Sequence, residues 1–283
     1  MGERMQQVTN SKKRGNLAIE LFTNRSLIFK LAKNDFKTRY AGSYLGILWA
    51  FVQPVVTVLV YWLVFEFGFN QKAEVLKEGI AVPYVMYLTA GLVPWFYFSE
   101  AINNGMTSLL EYNYLVKKVV FKISILPLVK IMAAGIIHCF FVGVLLIVCM
   151  IYGFFPVLSW IQIPYYSICL FVLVLALSYT LSSVIIFFRD LGQIINIGLQ
   201  VGMWATPILW PISKLDNHPA IQFIFRLNPV YYIVSGYRGS LFEKKWFFED
   251  LLYSAYFWGF TVIVFAMGAF IFKRLKPHFA DVL

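Results

Sequence analysis

The sequence predicts an all-α polytopic membrane protein with six transmembrane helices, and three observations carry that prediction. Hydrophobic residues make up 60% of the chain and charged residues 13%, about half the charged share of a soluble domain. Apolar stretches of roughly 20 residues, the length that crosses a bilayer as a helix, recur along it, and 283 residues hold about six of them with modest loops. Lys and Arg give a net charge of +10. They gather before Ala41 and at the ends of the apolar stretches, a pattern of membrane orientation rather than of nucleic-acid binding.

Residues 1–44 read as a cytoplasmic N-terminal region, 45–273 as the membrane domain and 274–283 as a cytoplasmic tail. The first 16 residues are polar. An amphipathic helix over 26–40 is expected to lie in the inner membrane interface. Phe29, Ala32 and Phe36 share its face, Phe22 extends the line, and Lys30, Lys33, Lys37 and Arg39 fill the remainder. The alternative is a solvated helix packed on the protein's own cytoplasmic side. The first span is 45–69, kinked by Pro54, with Trp49, Gln53, Thr57 and Tyr61 along one face.

A polar loop over 70–82 leads to the second span, 83–103, where Tyr84, Tyr87, Gly91, Trp95 and Phe98 align. Residues 105–121 are too polar to cross and too apolar for a free linker. They read as a short helix lying across the cytoplasmic mouth. The third span is 131–152, with Lys130 able to snorkel at its inner end. A charge-free aromatic turn over 154–164 precedes the fourth span, 165–188, which ends at Arg189-Asp190.

The fifth span starts at Leu191. Gln193, Asn196, Gln200 and Trp204 are spaced three and four apart and form one stripe. Gly198 and Gly202 fall on the far side, in a Gly-x-x-x-Gly spacing that lets another helix approach. Thr206-Pro207 and Trp210-Pro211 close it. The outer segment, about 212–249, holds two apolar pieces, 220–227 and 230–241, divided by Asn228-Pro229. Each is too short to span, so re-entrant or interfacial gate helices at the outer mouth are expected. The sixth span, 251–272, is followed by Lys273, Arg274 and Lys276. With both termini inside, 17 of the 24 Lys and Arg residues lie on or near the cytoplasmic side, which favours that orientation.

The chemistry-bearing motifs are few. There is no Gly-x-x-x-x-Gly-Lys-Ser/Thr loop and no Gly-x-Gly-x-x-Gly, so the chain does not hold ATP through such a loop. Cys139, Cys149 and Cys169 lie in apolar runs and read as small core residues. His138 stands alone, and a lone His on an apolar helix is more often hydrogen-bonded to a neighbour than catalytic. No close-spaced acid-base pair appears in the spans. What remains is the aromatic and polar stripes of spans one, two and five. Aromatic rings stack on sugar faces while Gln, Asn and Tyr supply hydrogen bonds, so a glycan path fits them; plain helix packing is the alternative.

Several stretches taken in order resemble one family. They are Arg39-Tyr40 with Ser43 to Gly46, Trp49 and Pro54; Ala90 through Tyr97; Phe188-Arg189-Asp190-Leu191 with Trp204 and Thr206-Pro207-Ile208; Asn228-Pro229-Val230-Tyr231-Tyr232; and 275–281. The chain is similar to the membrane permease of ABC exporters of lipid-linked polysaccharides, the O-antigen, capsule and teichoic acid exporters. That resemblance implies a homodimer of six-span subunits in the bacterial inner (plasma) membrane, with two copies of a nucleotide-binding ATPase docked beneath. ATP and magnesium would be held by that partner, and no cofactor by this chain, which would not be an enzyme on its own. The substrate would be an undecaprenyl-linked glycan, met amid membrane lipids, with no nucleic acid involved. The resemblance makes 105–121 the coupling helix, with Glu111, Tyr112 and Tyr114 as candidate ATPase contacts. It makes 26–40 the interface helix. Asn228, Pro229, Tyr231 and Arg238 become gate residues, and the pathway candidates are Trp49, Gln53, Thr57, Tyr61, Tyr87, Trp95 and the stripe of span five. The rivals are an ABC permease for a smaller lipid or drug and a membrane-embedded glycan-lipid transferase.

Overall fold

The computed structural model describes residues 24–283 apart from 40, 43, 72, 76–79 and 118–121. The readings of the polar start and of Phe22 lie outside the described residues. Helix α1 (Arg25–Arg39) is followed by α2 (Trp49–Leu63), which contains Pro54 and runs into a π turn at Val64–Gly68. The loop beyond it is a short antiparallel hairpin, β1 (Ala73–Val75) with β2 (Ala81–Pro83), with Ala73 opposite Pro83. Then come α3 (Tyr84–Glu111), α4 (Asn113–Val116), α5 (Leu126–Ile151) and α6 (Gln162–Val184). Helices α7 (Leu191–Ala205), α8 (Pro219–Arg226), α9 (Pro229–Arg238), α10 (Leu251–Leu275) and α11 (Phe279–Val282) complete the chain.

Helix α3 is the axis of the bundle. It packs on α5 and α6 and takes α9, α2 and α7 around its other sides. Its buried residues therefore cover most of its circumference, Leu88, Leu92, Ala101, Ile102 and Leu109 among them, and only the face through Thr89, Phe96, Glu100 and Asn103 is half-exposed. Helix α10 packs against α6, and α1 against α5. By contrast α7 buries no residue fully, and α2 buries only Ala50. One flank of the bundle, α2 and α7, is thus left uncovered by the protomer.

Among the described residues, four helical stretches are long and apolar enough to cross a membrane: Gly46–Gly68, Ile123–Ile151, Leu158–Val184 and Phe247–Val282. The other two expected spans differ, each for a physical reason. Helix α3 is long enough but rich in Tyr, Trp and Asn, which it can carry because protein surrounds it. Tyr84, for instance, donates to the Leu209 carbonyl at 2.8 Å. Helix α7 has 15 residues, about 22 Å at 1.5 Å per residue, against a hydrocarbon core of about 30 Å. It stops because Thr206 precedes Pro207 and is extended (φ −97°, ψ 124°), the conformation a following proline imposes.

One further expectation needs correction. No separate helix begins at 105: the second span continues without a break to Glu111, and among the described residues up to 121 only Asn113–Val116 forms a new turn. The bundle covers Ile28, Ala32 and Asp35 of α1, with Phe36 half-buried against the core, and leaves Phe29 61% exposed. Asp35 thereby brings a carboxylate into the bundle. In the outer segment the two apolar pieces have opposite fates. Helix α8 exposes Ile221, Phe223 and Ile224, whereas α9 is buried along most of its length. Asn228 starts α9 by accepting from the Val230 N–H at 3.0 Å, with Pro229 in the first turn, as N-capping chemistry favours.

Candidate functional site

The uncovered flank carries the polar stripe. On α7, Gln193, Asn196, Gln200 and Trp204 are all exposed, and Trp204 is 57% so. Beside it, α2 exposes Trp49 and Gln53, while Thr57 and Tyr61 are half-buried. The Thr57 hydroxyl donates to its own helix at the Gln53 carbonyl, 2.9 Å away. Tyr61 reaches across to α7, its hydroxyl 3.9 Å from the Met203 sulfur. Ile194, Ile197 and Val201 are exposed on the same helix as the stripe, so the flank mixes amide and aliphatic groups.

The far side of α7 does not receive another helix backbone. A Cβ on Gly202 would lie 3.1 Å from the Trp95 indole, and one on Gly198 would meet nothing within 4 Å. Gly198 instead opens onto a cavity of about 230 Å³ with Trp95, Leu173, Asn228 and Phe260 in its walls. Trp95 and Tyr87 are 5% and 4% exposed. They are core residues, Tyr87 beneath Arg238 and Trp95 behind the cavity at Gly198.

Tyr87 has a different task. The Arg238 guanidinium sits over its ring, 3.5 Å from the centroid. Arg238 donates to the Tyr87 carbonyl at 3.1 Å, to the Tyr87 hydroxyl at 2.9 Å, to the Pro207 carbonyl at 2.6 Å and to the Ile208 carbonyl at 2.7 Å. The break after α7 frees carbonyls that no helix can satisfy. A planar guanidinium with a fixed fork of donors satisfies them and ties the break to α3 and α9 at once. The expected gate residue Arg238 is therefore buried in this junction, at 5% exposure, and Tyr231, earlier on α9, is buried as well, at 9%. Asn228 joins it from below, its amide donating to the Thr206 hydroxyl at 2.7 Å. Gly91 makes room: a Cβ there would stand 2.7 Å from Arg238 Nη2. Gly91→Ala should therefore lower stability by about 1–3 kcal/mol through overpacking, measurable as a lower melting temperature of the purified protein.

At the opposite end of α3 an ionic cluster joins three helices. Asp35 of α1 is paired with Lys130 of α5 at 2.6 Å and with Arg39 at 3.1 Å, and it accepts from the Tyr112 hydroxyl at 2.7 Å. Lys130 also reaches Glu111 at 2.5 Å, and Arg39 reaches Glu100 at 2.6 Å. Lys130 does not snorkel; it is 5% exposed and its charge is consumed inside the cluster. Of the coupling candidates, Glu111 and Tyr112 are thus engaged within the protomer, while Tyr114 is 56% exposed. Asp35 and Lys130 as a pair escaped the sequence reading. The only local signal was Asp35 four residues before Arg39 on an otherwise basic helix.

Burial raises the Asp35 pKa, but hydrogen bonds from Lys130 and Tyr112 and the charges of Lys130 and Arg39 outweigh it and hold the carboxyl below its ordinary value of 3.8. A depressed carboxylate stabilises the fold at every pH above its unfolded value and loses that contribution as pH falls through the folded one. The stability this carboxylate contributes should stay level from neutral pH down to about 5 and be lost below about 4. Thermal melts across that range check this, with Asp35→Asn losing the acid-linked part of the slope.

In the membrane core, His138 stacks on Tyr97 with ring centroids 4.6 Å apart, and its Nε2 lies 3.1 Å from the Tyr237 hydroxyl and 3.3 Å from that of Ser167. The lone His is held by neighbours.

Residues 26–242 match the family described as ABC-2 type transporter. The chain is 28% identical over 259 residues to an O-antigen export system permease protein RfbA of Klebsiella pneumoniae, covering 91% of this chain and 95% of that one. It is 30% identical over 230 residues to the protein of the same name from Myxococcus xanthus, covering 81% and 85%.

Proposed function

Since this chain belongs to the ABC-2 type transporter family, we propose that it is the transmembrane subunit of an ATP-driven exporter carrying an undecaprenyl-linked O-antigen polysaccharide to the outer face of the membrane. The observation that carries this reading is its similarity to O-antigen export permeases along nearly their whole length. The uncovered flank supports it physically. Gln and Asn at hydrocarbon depth are costly against lipid and are tolerated where they meet water or protein. The exposed Gln53, Gln193, Asn196 and Gln200 therefore belong at a wet path, with Trp49 and Trp204 as stacking surfaces for sugar rings.

In this reading two copies of the chain face each other across the α2–α7 flank. Each has six spans, with α3 and α7 as the second and fifth, and both termini are cytoplasmic. Two ATPase subunits that hold ATP and magnesium dock below α4. Tyr114 is the exposed contact, and Glu111 and Tyr112 pass its movement to α1 and α5 through Asp35 and Lys130. The Arg238 junction and α8 form the outer gate. Gln200→Leu and Trp204→Leu should each cut surface O-antigen severalfold while leaving membrane levels of the protein unchanged. Quantifying surface glycan by immunoblot tests this, and normal display in both variants would remove the path from this flank.

A further inference from the structure

The end of the last long helix, cytoplasmic in the reading above, folds back on the bundle instead of trailing away. Helix α10 ends at Leu275, a single tight turn covers Lys276–His278, and α11 returns Phe279 to the protein, where it is fully buried. The Phe279 ring centroid lies 5.5 Å from that of Phe272 on α10 and 6.2 Å from that of Phe187, between α6 and α7. Phe272 in turn meets Tyr179 of α6 edge-on at 5.4 Å. These aromatic pairs hold the tail beside the turn that joins α6 to α7. Helix α10 has 25 residues, about 37 Å, and outruns a hydrocarbon core of about 30 Å. Its last turn and the tail therefore stand at headgroup level.

That hook fixes where charges stand. Lys273, Arg274 and Lys276 precede Phe279 and are exposed, as is Arg189, two residues beyond Phe187. Unlike Arg39, Lys130 and Arg238, these four make no ion pair and no side-chain hydrogen bond among the described residues. Asp190 and Asp281 are the exposed carboxylates on the same two segments, so cations outnumber them two to one. Basic residues after a last span follow the orientation rule in any case. That rule requires neither the buried Phe279 nor an arginine contributed by another segment. Arg189 also stands at the foot of the polar stripe. The Gly192 N–H donates to its carbonyl at 3.2 Å, which winds it into the turn leading into α7, and Gln193 follows about one helical turn later. Phe187 and Phe188, just before it, are 44% and 46% exposed. Cations without a partner and exposed rings thus lie side by side where a lipid's phosphates meet its chain.

We propose that this surface recognises a prenyl diphosphate, the head of the lipid carrier, with Arg189, Arg274 and Lys276 on the phosphates and the first prenyl units against Phe187 and Phe188. A diphosphate carries charge on both phosphates and is matched by several charge-assisted donors rather than one. The proposal rests on the function above for the carrier and for the leaflet. The test uses the full chain in nanodiscs of phosphatidylcholine, without an ATPase, titrated with farnesyl diphosphate, a short soluble prenyl diphosphate. Farnesyl monophosphate should bind more weakly, and phosphatidylglycerol added to the disc should not displace the diphosphate. Arg274→Gln combined with Lys276→Gln should weaken binding about thirtyfold, the factor that corresponds to about 2 kcal/mol for two basic groups. Phe279→Ala keeps every cation but frees the hook, and it should weaken binding as well. Equal affinity for mono- and diphosphate, displacement by phosphatidylglycerol, or unchanged binding in either variant would each overturn the proposal. Binding needs no export, so the two readings fail separately: binding by a chain whose deletion leaves surface glycan intact removes the export reading alone, and export without binding removes this one alone.

Discussion

Lys130→Met is expected to cost about 3–5 kcal/mol of stability and to release α1 from the bundle, because it breaks a buried ion pair by removing one partner. Asp35 and Lys130 have side chains 5% and 7% exposed, so solvent cannot replace the lost charge. The second carboxylate on Lys130, Glu111, has a side chain 48% exposed. Water compensates it, and the penalty falls on Asp35 and on the packing of α1. Protease sensitivity near 24–44, together with the denaturation midpoint, reads both effects. Asp35→Asn should release α1 in the same way. If the pair is the linchpin, the double variant should cost less than the two single changes added together, by about 0.5–3 kcal/mol of coupling. Additive losses would place the stability of α1 in its apolar contacts, Ile28 and Ala32, instead.

Arg238→Lys is expected to be nearly as damaging as Arg238→Met. A lysine keeps the charge but offers one compact ammonium where the junction uses a fork. At least two of the Tyr87, Pro207 and Ile208 carbonyls then lose their donor, at about 1–3 kcal/mol for each buried acceptor left unpaired. The start of α9 would loosen with the junction, since Thr206 and Asn228 hang from the same break. Both variants should elute as less stable protein than wild type, and export should fall with them. A fully stable Arg238→Lys would mean that charge, not fork geometry, holds the break.

The spans that meet lipid on one side were readable from apolar length alone, and α5, α6 and α10 stand close to where the sequence puts them. Helix α3 was readable as a helix but not as the axis. Its aromatic alignment suggested an exposed stripe, and only α7, α9 and the loop between them turn Tyr87 and Trp95 into core. The end of α7 was legible in Thr206-Pro207, but its consequence was not. Nothing local says that a guanidinium from the far end of α9 will collect the carbonyls freed there. The same holds for Asp35 and Lys130, whose pairing depends on how α1 lies across α5. Periodicity cannot fix that angle. The polar stripe of α7 was fully legible, because an uncovered face keeps the pattern that its sequence shows.

The central claim, export of a lipid-linked O-antigen, is tested most directly by deleting this chain from the cell that carries it and following the glycan. The account predicts that surface polysaccharide disappears while undecaprenyl-linked glycan accumulates on the cytoplasmic side, and that the intact chain restores display only together with an ABC ATPase competent to hydrolyse ATP. Surface glycan that persists unchanged after the deletion would contradict it.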